Sequence, residues 1–121
     1  MLKSYKELIV WQKAYQLCLK VYNATQNFPH EERYGLTQQI RKSVVSVSSN
    51  IAEGYGRGAI KEYIHHLHIA YGSNCELETQ LMLASDLGYV SKNHNEFLMK
   101  DIEEVERMLK SLIKSLKAKI P

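Results

Sequence analysis

Proline is scarce in this 121-residue chain: Pro29 and Pro121 are the only two. A proline inside a helix removes a hydrogen-bond donor and clashes with the preceding turn, so the long stretch between them is free to be helical. Long apolar runs are also missing, and none approaches the ~20 residues that a membrane-spanning helix requires. The N-terminal MLKSYKELIVWQK carries neither the apolar segment nor the small-residue cleavage site of a signal peptide. The expectation is a cytoplasmic protein with no membrane partner. Cys18 and Cys75, the only cysteines, fall on apolar helical faces and are expected to be free, buried thiols in a reducing compartment.

Reaction chemistry is equally short of material. Gly54, Gly56 and Gly58 resemble a phosphate loop only in spacing, because nothing upstream reads as a strand, and both dinucleotide and P-loop sites need strand, glycine loop, then helix. The spacing predicts instead that Gly54 closes a helix in the left-handed conformation. Ser43, Ser46, Ser48 and Ser49 lie within a helical pattern with no positioned base, which a nucleophilic serine requires. His65, His66 and His68 follow Glu62, giving one Glu-x-x-His step. A di-iron bundle needs two such steps and two further inward glutamates, and the second step is absent. Neither metal, cofactor nor enzymatic activity is expected. The formal charge of +3 and a pI near 8.8 fall short of a strongly basic nucleic-acid-binding domain.

What the chain has is helical periodicity. Ile40, Val44, Val47 and Ile51 recur at four, three and four residues, with Val45 and Ala52 widening the stripe, and small serines allow a neighbouring helix to come close. Four helices follow, at about 5–25, 36–53, 59–87 and 92–117. The first has a seam of Leu8, Trp11, Tyr15, Cys18 and Tyr22. The third runs Ile60, Tyr63, Leu67, Ala70, Asn74, Leu77, Leu81 and Ala84, where polar Asn74 fixes register or partner beside the small Gly72 and Ser73. The fourth runs Leu98, Ile102, Val105, Leu109, Leu112 and Leu116. Glu31 and Glu32 suit the positive end of helix two. Gly88 ends helix three and Ser91 caps helix four. Short connections predict an all-α, antiparallel up-down four-helix bundle formed by a single domain over residues 1–121.

The segments LIVWQKAYQL, FPHEERYGLTQQIRKS, SNIAEGYGRG and AYGSNCELETQL followed by LGYVS resemble, in order, the four-helix bundle or 23S rRNA intervening-sequence protein family. The accessory variability protein of diversity-generating retroelements, which partners a reverse transcriptase and nucleic acid, is similar to that family. The resemblance implies a bundle assembling as a homopentamer and implies no catalytic residues. It picks out Arg41, Asn50, Glu53, Gly54, Arg57, Gly72, Ser73 and Glu76. Asn50, Glu53, Asn74 and Glu76 are read as structural or interfacial polar residues, with Arg41 as the expected partner of a buried acid. Val47-Ser48-Ser49-Asn50 replaces the family's usual IPSN, so a proline kink in helix two does not carry over.

These readings converge on a non-enzymatic homo-oligomer that binds RNA or DNA nonspecifically. Arg41, Lys42, Arg57, Lys61, Arg107, Lys110, Lys114 and Lys117 are the candidate phosphate contacts. Arg107, Lys110, Lys114 and Lys117 form one helical stripe, and a symmetric oligomer multiplies its field. The alternative is a protein-interaction scaffold in which Trp11, Tyr15 and Tyr22 dock another subunit or a protein partner.

Overall fold

The computed structural model describes residues 2–121. Its helices are α1 (Ile9–Thr25), α2 (Leu36–Gly56), α3 (Ile60–Asp86) and α4 (Lys92–Lys117), with single 3-10 turns at Tyr5–Glu7 and His30–Glu32. Each helix packs against its neighbour in the chain, and α4 closes onto α1. The result is the expected antiparallel bundle. Leu17, Ile40, Ile51, Leu67, Leu77, Leu81, Leu98, Ile102 and Leu109 are fully buried in one shared core. Each such side chain is worth roughly 1.5–3 kcal/mol of burial.

The ends of the helices follow their local chemistry. Ser91 extends before α4, and its hydroxyl accepts the His94 N–H at 3.1 Å. Gly88, at φ 82°, closes α3 through Gly88 N–H to Ser85 O and Tyr89 N–H to Ala84 O bonds of 3.0 and 2.9 Å, a Schellman pattern. Glu32 does sit at the positive end of α2, where Oε1 accepts the Leu36 N–H at 3.2 Å while Oε2 accepts the Tyr89 hydroxyl at 3.0 Å. One carboxylate therefore ties the start of α2 to the α3–α4 turn.

Several expectations are corrected. Gly54 does not end α2: it lies buried inside the helix, which continues to Gly56, and the left-handed residue is Gly58 at φ 79°. A Cβ on Gly54 would stand 2.7 Å from the His66 Cβ and 3.2 Å from the Tyr63 carbonyl. Its freedom from a side chain serves helix contact and not chain reversal. Gly72, by contrast, faces open space, and it is Ser73 that meets α2. The buried stripe of α1 is Val10, Ala14, Leu17, Val21 and Thr25, about one residue's rotation from the Leu8–Trp11–Tyr15–Cys18–Tyr22 seam. Both stripes satisfy helical spacing, but the smaller residues let α1 settle onto the core, while Trp11 packs at its edge and Tyr15 and Tyr22 stay exposed. Regular α-helix begins at Ile9, after the 3-10 turn. Cys75 and Val45 are exposed, as is Ile60 at the start of α3, and Cys18 is only half-buried. In α4, Ile113 takes the buried position expected of Leu112.

Asn74 lies in the α3 seam as expected, and its Nδ2 donates to the Ile102 carbonyl of α4 at 3.0 Å. That bond is available in one register of α3 against α4, so the polar residue selects an alignment within the chain. Helix two runs without interruption through Ser48 and Ser49.

Two stability outcomes follow. Gly54→Ala lowers stability by about 1–3 kcal/mol through forced overpacking against α3, whereas Gly56→Ala, with nothing within 4 Å of the new Cβ, raises it by up to about 1 kcal/mol through helix propensity. Urea midpoints at constant slope distinguish them, and equal effects would sink the close-approach argument. The Tyr63 hydroxyl is buried without a hydrogen-bond partner, and burial, assisted by Tyr55, pushes its pKa from 10.0 to about 12. A raised folded value means stabilisation present below pH 10.0 that is lost as pH rises through about 12. Tyr63→Phe should therefore match or exceed the parent at neutral pH and lose less stability across that alkaline window in thermal unfolding.

Candidate nucleic-acid interface

The charges of α4 are divided along its length. Two of its earlier acids face α1, where Lys20 Nζ meets Asp101 Oδ2 at 2.8 Å and Lys13 Nζ meets Glu104 Oε1 at 3.1 Å. Exposed pairs of this kind contribute at most about 1 kcal/mol each, less than one buried leucine. Their effect is to neutralise Asp101 and Glu104 and leave the basic half of α4 without a partner from α1.

That basic half borders α3. His68, Tyr71, Lys110, Ile113, Lys114 and Lys117 line a groove of about 480 Å³. The Tyr71 hydroxyl donates to Glu106 Oε2 at 2.9 Å, and the Lys110 ammonium stands 5.6 Å from the Tyr71 ring centre and 3.7 Å from Glu106 Oε2. The Tyr71 hydroxyl first, and the Glu106 carboxylate after it, hold the Lys110 pKa above the ordinary lysine value, so this ammonium stays charged throughout the neutral range. Lys114 and Lys117 have no carboxylate within 4.0 Å among the described residues, and neither has exposed Arg107. Three of the four stripe residues thus share the groove, and Arg107 extends the stripe outside it.

The other nominated cations are dispersed. Arg57 Nη2 is bound to Glu53 Oε2 at 2.7 Å, which lowers the Glu53 pKa, with His66 as the next contribution. Lys61 is exposed at the first turn of α3. Arg41 is half-buried: its Nε donates to Thr25 Oγ1 at 2.9 Å and its Nη2 to the Tyr22 carbonyl at 3.3 Å. It supplies a cation and donors to the negative end of α1, and it does not pair with an acid. Lys42 is exposed beside it. Glu53 and Glu76 are exposed as well, so the expectation of buried acids held by Arg41 is overturned.

Asn50 does join a polar network, on the α2–α3 contact. Ser73 Oγ meets Ser46 Oγ at 2.7 Å, Asn50 Nδ2 donates to Ser46 Oγ at 3.1 Å and to the Ser46 carbonyl at 2.9 Å, and Asn50 Oδ1 meets His66 Nδ1 at 3.1 Å. His66 Nε2 then stands 3.8 Å from Glu53 Oε2. Asn50 separates the imidazole from the serine hydroxyls, so the chain is a structural relay between helices and not a nucleophile with its base. His65 and His68 are exposed, and no three His, Cys, Asp or Glu side chains are grouped to hold a metal ion among the described residues.

Of the aromatics nominated for docking, Trp11 packs against the chain's own core, stacked on Tyr15 at 5.1 Å and edge-on to Tyr5 at 5.2 Å. Tyr15 and Tyr22 remain 44% and 40% exposed. Periodicity missed Tyr34, which is 83% exposed. It lies in the turn before α2, where no repeat marks a residue for attention. Among the described residues no helix is long and apolar enough to cross a membrane.

The comparisons with known proteins agree with this architecture. A crystal structure described as a protein of unknown function from the S23 ribosomal protein family of Bacteroides thetaiotaomicron VPI-5482 is similar at 25% identity and a TM-score of 0.80, over 88% of this chain and 99% of that one. No curated protein matches. The family described as 23S rRNA-intervening sequence protein matches residues 6–111, nearly the whole helical bundle. With that match, the chain belongs to the 23S rRNA-intervening sequence protein family.

Proposed function

We propose that this protein is a non-enzymatic, cytoplasmic homo-oligomer, five-membered as the family resemblance implies, that binds RNA or DNA without sequence preference. The single observation that carries the reading is the basic half of α4, where Lys110, Lys114 and Lys117 border one open groove while Asp101 and Glu104 of the same helix are held by lysines of α1. A lysine row along a helix follows a phosphate backbone and displaces counterions as it does so. It offers charge without the planar, bidentate geometry that reads base edges. Repetition around a symmetric oligomer adds multivalency to each weak contact.

A second reading, a protein-interaction scaffold, is favoured by the exposed Tyr15 and Leu19 on α1. In it the lysines serve solubility alone.

The two are separated by titrating nuclease-treated protein with a structured RNA and a matched DNA over a salt series. Nucleic-acid binding shows affinity that falls steeply with salt. Lys110→Glu, Lys114→Glu and Lys117→Glu together flatten that dependence, the logarithmic slope falling by about one for each phosphate that is no longer neutralised. Absence of binding at low salt overturns the nucleic-acid reading and leaves the scaffold.

A further inference from the structure

A second feature lies toward the other end of the bundle. The Tyr89–Glu32 bond of 3.0 Å places the start of α2 at the α3–α4 turn, away from the α4 lysines that end the chain. There Tyr22, Arg33, Tyr34, Thr37, Arg41 and Lys42 line an open cleft of about 530 Å³, within the size range of small-molecule sites. Its chemistry differs from that of the α4 groove. Tyr34 is 83% exposed, and its ring packs against no other aromatic or cation among the described residues. The Tyr22 ring carries the Arg41 guanidinium 4.6 Å from its centre, and Arg41 is itself fixed by Thr25 and the Tyr22 carbonyl. None of Arg33, Arg41 and Lys42 has a carboxylate within 4.0 Å among the described residues. The nearby Glu32 is occupied by Tyr89 and the Leu36 N–H.

An exposed aromatic face in one cleft with the uncommitted Arg33 and Lys42 and the anchored Arg41 matches a ligand with its own π-face and an adjoining negative charge. We propose that this cleft binds an unpaired nucleotide of a single strand, the base stacking on Tyr34 and the flanking phosphates meeting Arg33 and Lys42. Internal bases of a duplex present no free face to Tyr34, which leaves only the two end pairs, so the cleft discriminates by strandedness. Stacking is tolerant of base identity because every base has a π-face. The proposal shares its ligand class with the nucleic-acid reading above but rests on different residues at a different place.

The test compares a fluorescein-labelled oligouridylate with a blunt RNA duplex of equal length, bound to the parent protein, to Tyr34→Ala, to Tyr34→Phe, and to the α4 triple lysine reversal. Tyr34→Ala should weaken single-strand binding about tenfold, in line with the loss of one stacked base, and leave duplex binding within about twofold. Tyr34→Phe should retain the parent affinity, since the ring and not the hydroxyl makes the stack. Arg33→Glu with Lys42→Glu should lower single-strand affinity and its salt dependence together. If the α4 reversal changes nothing while Tyr34→Ala still weakens the single strand, the cleft stands and the α4 reading falls. Unchanged single-strand affinity in a Tyr34→Ala protein of parental helicity overturns the cleft. So does a change in sedimenting mass in place of a change in affinity, since Tyr34 would then be a contact between subunits.

Discussion

The approach of α2 to α3 is set by the missing side chain of Gly54, whose place is filled by the His66 Cβ and the Tyr63 backbone. Once the helices are this close, short polar side chains can span between them, and Ser46, Ser73, Asn50 and His66 do so. Each such bond is worth only about 1 kcal/mol net, whereas burial of Val44, Val47, Ile51, Leu67 and Ala70 nearby supplies several times more. The apolar residues therefore hold the helices together, and the polar chain determines how they are aligned. Asn74 has the same task on the other side of α3, where one bond to the Ile102 carbonyl sets the alignment with α4. With both neighbours of α3 in fixed register, Tyr71 meets Glu106 and the α3–α4 groove takes its shape.

Charge is arranged by the same register. An antiparallel α1 brings Lys13 and Lys20 to the acidic part of α4 and stops there, leaving Lys110 to Lys117 beside α3, where His68 and Tyr71 oppose them. An isolated helix with acids early and lysines late would be explained by its own dipole. In the bundle, Asp101, Glu104 and Glu106 have partners, whereas Lys114 and Lys117 have no carboxylate within reach among the described residues. The uncovered half of α4 is consequently a property of the packing, and a small formal surplus of +3 becomes a localised positive face.

Much of the fold is legible in the sequence because helix periodicity, glycine and cap residues act locally. The α3 seam, the Gly88 terminus and the Ser91 cap each depend on neighbours within a few residues. Helix one misleads because it is apolar around much of its circumference, so spacing alone allows two stripes, and volume decides between them: Ala14 and Val21 fit where Tyr15 and Tyr22 do not. Gly54 misleads because a glycine near a helix end has two uses, and only the position of α3 tells them apart. The lysine stripe is legible on one helix, but its groove needs Tyr71 and His68 from another. Tyr34 and Arg33 leave no periodic trace because they precede α2 in a turn, and only the return of α1 and α2 to the same place gives them Tyr22 and Arg41 as neighbours.

The two faces differ in the physics available to them. Exposed lysines on long stems act through screened Coulomb attraction, which weakens as the Debye length contracts from about 10 Å at 0.1 M salt toward about 3 Å at 1 M. They hold a polyanion without fixing its orientation. Stacking of a base on the exposed Tyr34 ring does not act through screened charge, and it survives salt that abolishes the first kind of contact. A ligand that engaged both faces would show a steep loss of affinity at low ionic strength giving way to a shallow residual, the steep part owed to the α4 lysines with Arg33 and Lys42, and the residue to the base stacked on Tyr34. A duplex, lacking a free base, would show only the first.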